Sequence, residues 1–316
     1  MESMPLITIA LCTYNGERYL AEQIASLQAQ TGVRIEIVAI DDASEDATPA
    51  MLRSIAERDP RVRVFANPRN LGPTPSFERA MELGTGEFIA PCDQDDVWAS
   101  DKLAKLLAAI GTHDLAYCDS AFIDAHGKPT DRKVSDRMAM MSGRRPMPFV
   151  FRNSVSGHAS LVRRSLFDLT RPFPADVYHD WWLALCAASR NGVIYLDEAL
   201  VEFRRHDDAF SRLGRGDTKK LTGRSRLWLT QRHRLLTAFA RSDLAGHENA
   251  ARLLSVYNEA LVGKSRLPLL REIWRQRDAL SERGHASLDA IRLQLRFLRK
   301  LRGAGGETAS IADTDS

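Results

Sequence analysis

The chain has few cysteines. Cys12, Cys92, Cys118 and Cys186 lie far apart among 316 residues, and none forms a C-x-x-C. This spacing excludes a disulfide framework and a cysteine-based zinc site. No stretch approaches the roughly 18 apolar residues of a membrane-spanning helix. Met1–Leu11 has neither a basic n-region nor a long apolar core, so no signal peptide is expected and the expected location is reducing and cytoplasmic. Glycine-rich phosphate loops are also missing. No G-x-G-x-x-G follows the first apolar run, which argues against a dinucleotide-binding domain. Gly263-Lys264-Ser265 looks like the end of a P-loop, but Asn258 stands where its earlier glycine is needed. There is no G-x-S-x-G nucleophile elbow.

Net charge is only +3, which gives no compositional case for nucleic-acid binding. It is unevenly placed. Residues 224–302 hold 17 Lys/Arg and 7 Asp/Glu, a net +10, so an acidic front half is joined to a basic back half.

The first hundred residues alternate apolar runs with helical patterns. Leu6–Leu11, Ile35–Ile40, Val62–Ala66 and Glu87–Pro91 read as strands. Between them lie amphipathic stretches: Leu20, Ile24 and Leu27; then Leu52 and Ile55, capped by Ser44 or Asp46; then a helix opening at Thr74-Pro75. Ser100 and Asp101 open another, with Leu103, Leu106, Leu107 and Ile110 on one face. Such alternation implies a mostly parallel sheet with helices on both faces. Ligands then bind beyond the C-terminal ends of the strands. That rule selects Thr13–Asn15, Asp41–Ser44, Asn67–Gly72 and Asp93–Asp96. Further on, Gly127–Pro148 reads as a mobile loop, Tyr178–Ser189 as a helix and Val193–Leu196 as a strand. Residues from about 221 to 301 read as helical, with breaks at Gly246, Gly263–Pro268 and Gly284.

Asp93, Asp95 and Asp96 follow a strand within four residues. Carboxylates this close repel one another unless something positive joins them. Their oxygens suit Mg²⁺ or Mn²⁺, while a solvated acidic turn is an equal reading of an isolated D-x-D-D. Asp41-Asp42 ends a very apolar strand, where buried carboxylates need donors: a nucleobase N–H, a ribose hydroxyl or the next helix cap. In His179-Asp180-Trp181-Trp182, an acid beside two tryptophans is desolvated toward a general-base pKa; read alone, it is rather a surface acid at a helix start. Arg204-Arg205-His206 ends an apolar run and suits a diphosphate or its metal, or is simply a basic strand end.

Taken together, these segments resemble family 2 glycosyltransferases with a GT-A fold. Ile7–Asn15 looks like that family's opening strand, and Ala39-Ile40-Asp41-Asp42-Ala43-Ser44 like its V-D-D-G-S segment. Asn70-Leu71-Gly72 followed by Gly86-Glu87-Phe88-Ile89 matches its N-x-G turn and G-E-Y-I strand. Asp93-Gln94-Asp95-Asp96-Val97-Trp98 looks like its D-x-D region, His179-Asp180 like its E-D or H-D motif, and Phe203-Arg204-Arg205-His206 like its Y-R-x-H segment. The resemblance covers roughly residues 5–210.

The resemblance implies a Rossmann-like, nucleotide-diphospho-sugar transferase sheet over residues 1–215. A basic helical region (216–303) and a disordered tail (304–316) would follow. It implies inverting sugar transfer from a nucleotide-diphosphate donor to a hydroxyl of a glycan or lipid-linked acceptor in cell-surface polysaccharide synthesis. Thr13, Tyr14, Asn15, Asp41, Asp42, Asn70, Gly72, Asp93 and Arg204 would bind the nucleotide-sugar. Asp95, Asp96 and His206 would bind Mg²⁺ or Mn²⁺, and Asp180 would be the base. The D-Q-D-D-x-W form is most similar to bacterial rhamnosyltransferase-like members, which suggests a dTDP- or UDP-sugar. Two departures stand out: Phe77-Glu78 replaces a common Arg-Asn, and Asp207-Asp208 follows the histidine.

Two alternatives remain. A sugar nucleotidyltransferase would need a glycine-rich, basic first loop, and Thr13–Arg18 has one glycine and one arginine. A non-catalytic nucleotide- or glycan-binding relative would not need Asp95, Asp180 and His206. The run Ile291–Leu301 is basic and amphipathic; it suits peripheral contact with the inner face of the plasma membrane, or equally a solvated face of a helical subdomain.

Overall fold

The β-branched run around Ile35–Ile40 forms β2 (Arg34–Asp41), buried at seven of its eight positions. Burial on both faces is what a parallel strand between helical layers requires. The computed structural model describes residues 4–175, 177–206, 221–281, 285–304 and 308–312. It forms two compact units: Met1–Gly143 with Ser154–Ala187 and Asn191–His206, and Arg144–Asn153 with Ala188–Arg190 and Asp207–Ser316. The expected division at residue 215 lies outside the described residues.

The first unit holds one nine-stranded sheet. Strands β1 (Leu6–Thr13), β2, β3 (Val62–Ala66) and β4 (Phe88–Cys92) run parallel in the order β3-β2-β1-β4. The order continues through β8 (Ser160–Arg163), β6 (Leu115–Ile123), β9 (Val193–Arg204) and β5 (Val97–Trp98), with β7 (Pro129–Lys133) on β6. This second half is mixed: β6 and β9 are parallel, while β8, β5 and β7 pair antiparallel. Helices α1 (Leu20–Gln28), α2 (Thr48–Arg58), α3 (Pro73–Leu83) and α4 (Lys102–Ile110) fill the crossovers. One contact fixes the approach to β4. An added Cβ on Gly86 would lie 2.6 Å from the Thr8 backbone nitrogen and 2.7 Å from the Leu6 carbonyl oxygen, so only glycine fits.

Four expectations change. The helix expected to start at Pro75 behind a Thr74 cap opens two residues earlier, at Pro73 behind Gly72 at φ 84°; Ser76 Oγ donates to the Gly72 carbonyl at 2.8 Å. The expected caps of α2 give way to Ala47, with Asp46 accepting from the Thr48 N–H at 2.9 Å. The expected loop Gly127–Pro148 contains β7, the buried Met141 and the start of a helix, α5 (Pro146–Phe151). The last strand runs to Arg204 rather than Leu196, which carries Arg204 alongside the loop between β4 and β5.

The rest of the first unit is α6 (Arg164–Thr170) and α7 (His179–Ala188, its last residue in the second unit). The second unit contains α5, α8 (Leu221–Ala240), α9 (His247–Leu261), α10 (Leu267–Arg275), α11 (Arg277–Leu280), α12 (Ala286–Gly303) and α13 (Ala309–Ala312). Its core gathers Tyr257, Phe297, Trp228 and Phe151, with Tyr257–Phe297 ring centroids 5.0 Å apart. The tail expected to be disordered carries α13, because buried Ile311 gives it an apolar anchor. Gly284 and Asp207-Asp208 lie outside the described residues. Among these, no helix is long and apolar enough to cross a membrane.

Candidate active site

The polar loops meet at the C-terminal ends of β1, β2 and β4. Parallel pairing aligns Thr13 with Asp41. The Asp41 carboxylate, 3% exposed, accepts from Thr13 Oγ1 at 3.1 Å, Ser44 N at 3.0 Å and Ser44 Oγ at 2.6 Å. Asn15 ties the same two loops: its N–H donates to Ser44 Oγ, and its Oδ1 accepts from Glu45 N, both at 2.9 Å. Asp42 turns the other way. It accepts from Asn67 Nδ2 at 2.6 Å, Leu71 N at 2.9 Å and Gly72 N at 2.8 Å. Asn70 Oδ1 also accepts from Gly72 N, at 3.1 Å. These two aspartates therefore build the loop frame, and their lone pairs go largely to their own chain. Tyr14 is exposed, so its ring is available to a ligand.

The acidic loop after β4 is clamped from two sides. The Gln94 amide accepts from Tyr14 N at 2.8 Å and donates to Tyr14 O at 3.0 Å. Opposite, Arg204 is 2% exposed. Its N–H donates to Asp96 Oδ1 at 3.0 Å, its Nε to the Asp95 carbonyl at 2.9 Å, and a terminal nitrogen to Glu22 at 2.5 Å. Arg204, expected on the diphosphate, is thus spent on shaping the loop. Asp95 Oδ2 lies 2.7 Å from His206 Nε2.

The expected metal trio Asp95, Asp96 and His206 is divided. Asp95 keeps His206, while Asp96 turns toward Asp93 and His158. His158 Nδ1 lies 3.5 Å from Asp93 Oδ2 and 3.6 Å from Asp96 Oδ2, and one ligand atom from each of the three falls within 4.8 Å of the others. Asp96 Oδ2 is buried without a hydrogen-bond partner. Burial, with Asp95 and Asp93 adding repulsion against the opposing pull of His158, pushes the Asp96 carboxyl up to about 7. For Asp93 burial is again the largest influence, but His158 outweighs it and holds the carboxyl below its usual value. Two carboxylates and an imidazole, one oxygen lacking any donor, fit a divalent cation.

His158 was not visible from sequence, where it is only a histidine ahead of the apolar run Ala159–Val162. The 3-10 turn Gly157–Ala159, just before β8, carries it under the loop, and Ser120 Oγ meets its Nε2 at 3.1 Å. Lys102 was missed too. Its Nζ is wholly buried, donates to the His158 carbonyl at 2.5 Å and sits over the Trp98 ring. Burial lowers this ammonium to about 7. A signal existed, because Lys102, Leu106 and Ile110 share one buried helix face.

At the start of α7, Asp180 Oδ1 accepts from the Trp181 N–H at 2.6 Å, and burial raises its carboxyl. Asp93 adds to that rise, while His179 opposes it. His179 stacks on Phe77, ring centroids 4.0 Å apart, and its Nε2 is buried without a partner. The arrangement joins a rigid loop frame, a cation-ready acid cluster and an acid with raised proton affinity.

Comparison with known proteins agrees with this architecture. An uncharacterized glycosyltransferase of Haemophilus influenzae is 29% identical over 234 residues, spanning 72% of this chain and 86% of that protein. The succinoglycan biosynthesis protein ExoO of Rhizobium meliloti is 36% identical over 107 residues, 34% of this chain and 30% of that one. Among solved structures, S. aureus TarS 1-349 in complex with UDP-GlcNAc matches with a TM-score of 0.60 at 16% identity, over 98% of this chain and 91% of that one. The sheet and this likeness give the first unit a GT-A fold. The model of "Glycosyl transferase family 2" matches residues 8–170, just over half of the chain, and the protein belongs to that family.

Proposed function

We propose that the protein transfers a sugar from a nucleoside-diphosphate donor to a hydroxyl group of a glycan or lipid-linked acceptor, inverting the anomeric carbon. The observation that carries this reading is the acid cluster with an unsatisfied buried oxygen beside a second acid of raised proton affinity. Asp180 takes the acceptor proton as the acceptor oxygen bonds to the anomeric carbon, and the bond from that carbon to the diphosphate oxygen breaks. Thr13, Tyr14, Asn15, Asn70 and Gly72, on the frame held by Asp41 and Asp42, receive the base and ribose; half-buried Asp93 reaches toward the ribose. Asp93, Asp96 and His158 would hold Mg²⁺ or Mn²⁺, which supplies countercharge to the leaving diphosphate. Asp95 and His206 brace that loop.

The donor reading is a dTDP- or UDP-sugar, rhamnose among the candidates. Support for a nucleotide-sugar comes from the UDP-GlcNAc complex of TarS, and support for a polysaccharide product from the name of ExoO. The test is thermal stabilisation by nucleoside diphosphates and their sugars, including dTDP-rhamnose and UDP-GlcNAc, with and without Mn²⁺. A shift that needs Mn²⁺ and vanishes in Asp96→Asn supports the donor and metal sites together. No shift with any nucleotide at millimolar concentration overturns the reading.

A further inference from the structure

The basic back half folds into helices that leave an apolar strip uncovered. On α12, Leu288, Ile291 and Leu295 recur at helical spacing and point outward, with Leu295 61% exposed. Arg292 and Arg299 flank that strip on the same face and are exposed as well. The inner face of the helix is spent on the core through Ala290, Phe297 and Leu301. Helix α10 lies alongside, joined where Gln294 Nε2 donates to the Leu270 carbonyl at 2.7 Å. It adds Leu267, 59% exposed, and the exposed Trp274. Leu288, Ile291 and Leu295 thus form an outward apolar strip on α12 with Arg292 and Arg299 beside it, and the neighbouring α10 presents two further exposed apolar side chains.

The charges beside the strip are crowded. Besides burial, Arg152 and Arg299 press on the Arg296 guanidinium, and Arg299, Arg232, Arg296 and Arg224 press on the Lys300 ammonium; both groups lose proton affinity. Like charges gathered this way favour an anionic partner. An apolar strip with a basic margin is what a helix lying in a lipid headgroup layer presents.

We propose that the α10–α12 face docks on the surface of an anionic lipid bilayer, the apolar strip entering the headgroup boundary and the arginines meeting lipid phosphates. The proposal is independent of the chemistry assigned to the first unit. It is tested with the full-length protein by co-sedimentation with vesicles of phosphatidylcholine, with and without phosphatidylglycerol. Binding is expected only with phosphatidylglycerol, and it should fall as salt rises from about 0.05 M to about 0.5 M. The double variant Ile291→Glu/Leu295→Glu should lower the partition coefficient at least about tenfold. Arg292→Glu/Arg299→Glu should do the same while leaving the apolar strip intact. All four positions are exposed, and circular dichroism melts check that the fold is kept. Equal binding to neutral and anionic vesicles, no binding to either, or binding unaffected by both variants overturns the proposal. So does a dimer, seen by sedimentation equilibrium, that the Ile291/Leu295 variant dissociates, since a second copy would then cover this face.

Discussion

Two acidic segments flank the central strand β1, at the ends of β2 and β4, and are treated in opposite ways. Asp41 and Asp42, after β2, each accept three hydrogen bonds from their own chain. Asp93, Asp95 and Asp96, after β4, crowd together, and one oxygen of Asp96 is sealed in without a donor. Buried charge with a full set of donors makes a frame, because removing it strands several N–H groups. Buried charge without donors stabilises nothing by itself; it holds a place for something positive. The same residue type at the ends of one sheet thus builds a satisfied frame in one loop and leaves an unsatisfied buried oxygen in the other.

That contrast can be broken or sharpened by experiment. The largest expected effect is catalytic. Asp180→Asn should lower the rate of nucleoside diphosphate release in an acceptor-dependent transfer assay by about 10²–10⁴-fold. Its folding should not suffer. The folded carboxyl has its pKa raised by burial, so its favourable contribution is complete below the unfolded value near about 4 and is lost as pH rises through the folded value. At pH 7 to 8 the Asn variant should therefore melt no lower than the parent. The comparison itself is tested next. Asp42→Ala should cost about 3 kcal/mol in urea unfolding, because it orphans Asn67, Leu71 and Gly72 donors. Asp96→Asn at the same pH should stay within about 1 kcal/mol of the parent, since it removes repulsion and keeps an acceptor for Arg204. Equal costs for the two variants would end the distinction between frame and ligand site.

A smaller effect is expected at the clamp between the loops. Gln94→Ala loses both bonds to the Tyr14 backbone and should cost about 1 kcal/mol, with nucleotide affinity about tenfold weaker by calorimetry. The subtlest measurement is the pH–rate profile. Asp180 works as a base only when deprotonated, and its proton affinity is raised. The acid limb should therefore lie above the ordinary carboxylate value of about 4, with rate falling as pH falls through it. A limb at or below that value would remove Asp180 from the role.

The legible parts of the sequence were those with a local signature. The parallel strands β1 to β4 announce themselves as apolar runs of matching length, and each ends in a polar loop. Strands β5, β7 and β8 escaped because they are short or exposed and exist only through antiparallel partners elsewhere in the chain. The acidic residues were legible as a cluster, but their division of labour was not. Asp42 finds its donors 25 to 30 residues away, and His158 meets Asp93 and Asp96 only through the strand that follows it. No periodicity encodes such meetings. The contacts of Arg204 are illegible for the same reason. Its sequence neighbours say diphosphate, while its spatial neighbours are the Asp95 carbonyl and Glu22.

The grip of Arg204 also reaches far back along the chain. It joins residues 109 and 182 positions apart, at Asp95 and Glu22. The carboxylates of the acidic loop are thus translated long before the arginine that shapes their backbone. A nascent chain that has emerged only as far as β8 carries every acid of the cluster and none of this clamp. The cluster would take its working form only once β9 slots in beside β5, after about two thirds of the chain has left the ribosome. A half-made protein therefore holds the acids of this loop without the clamp that shapes their backbone.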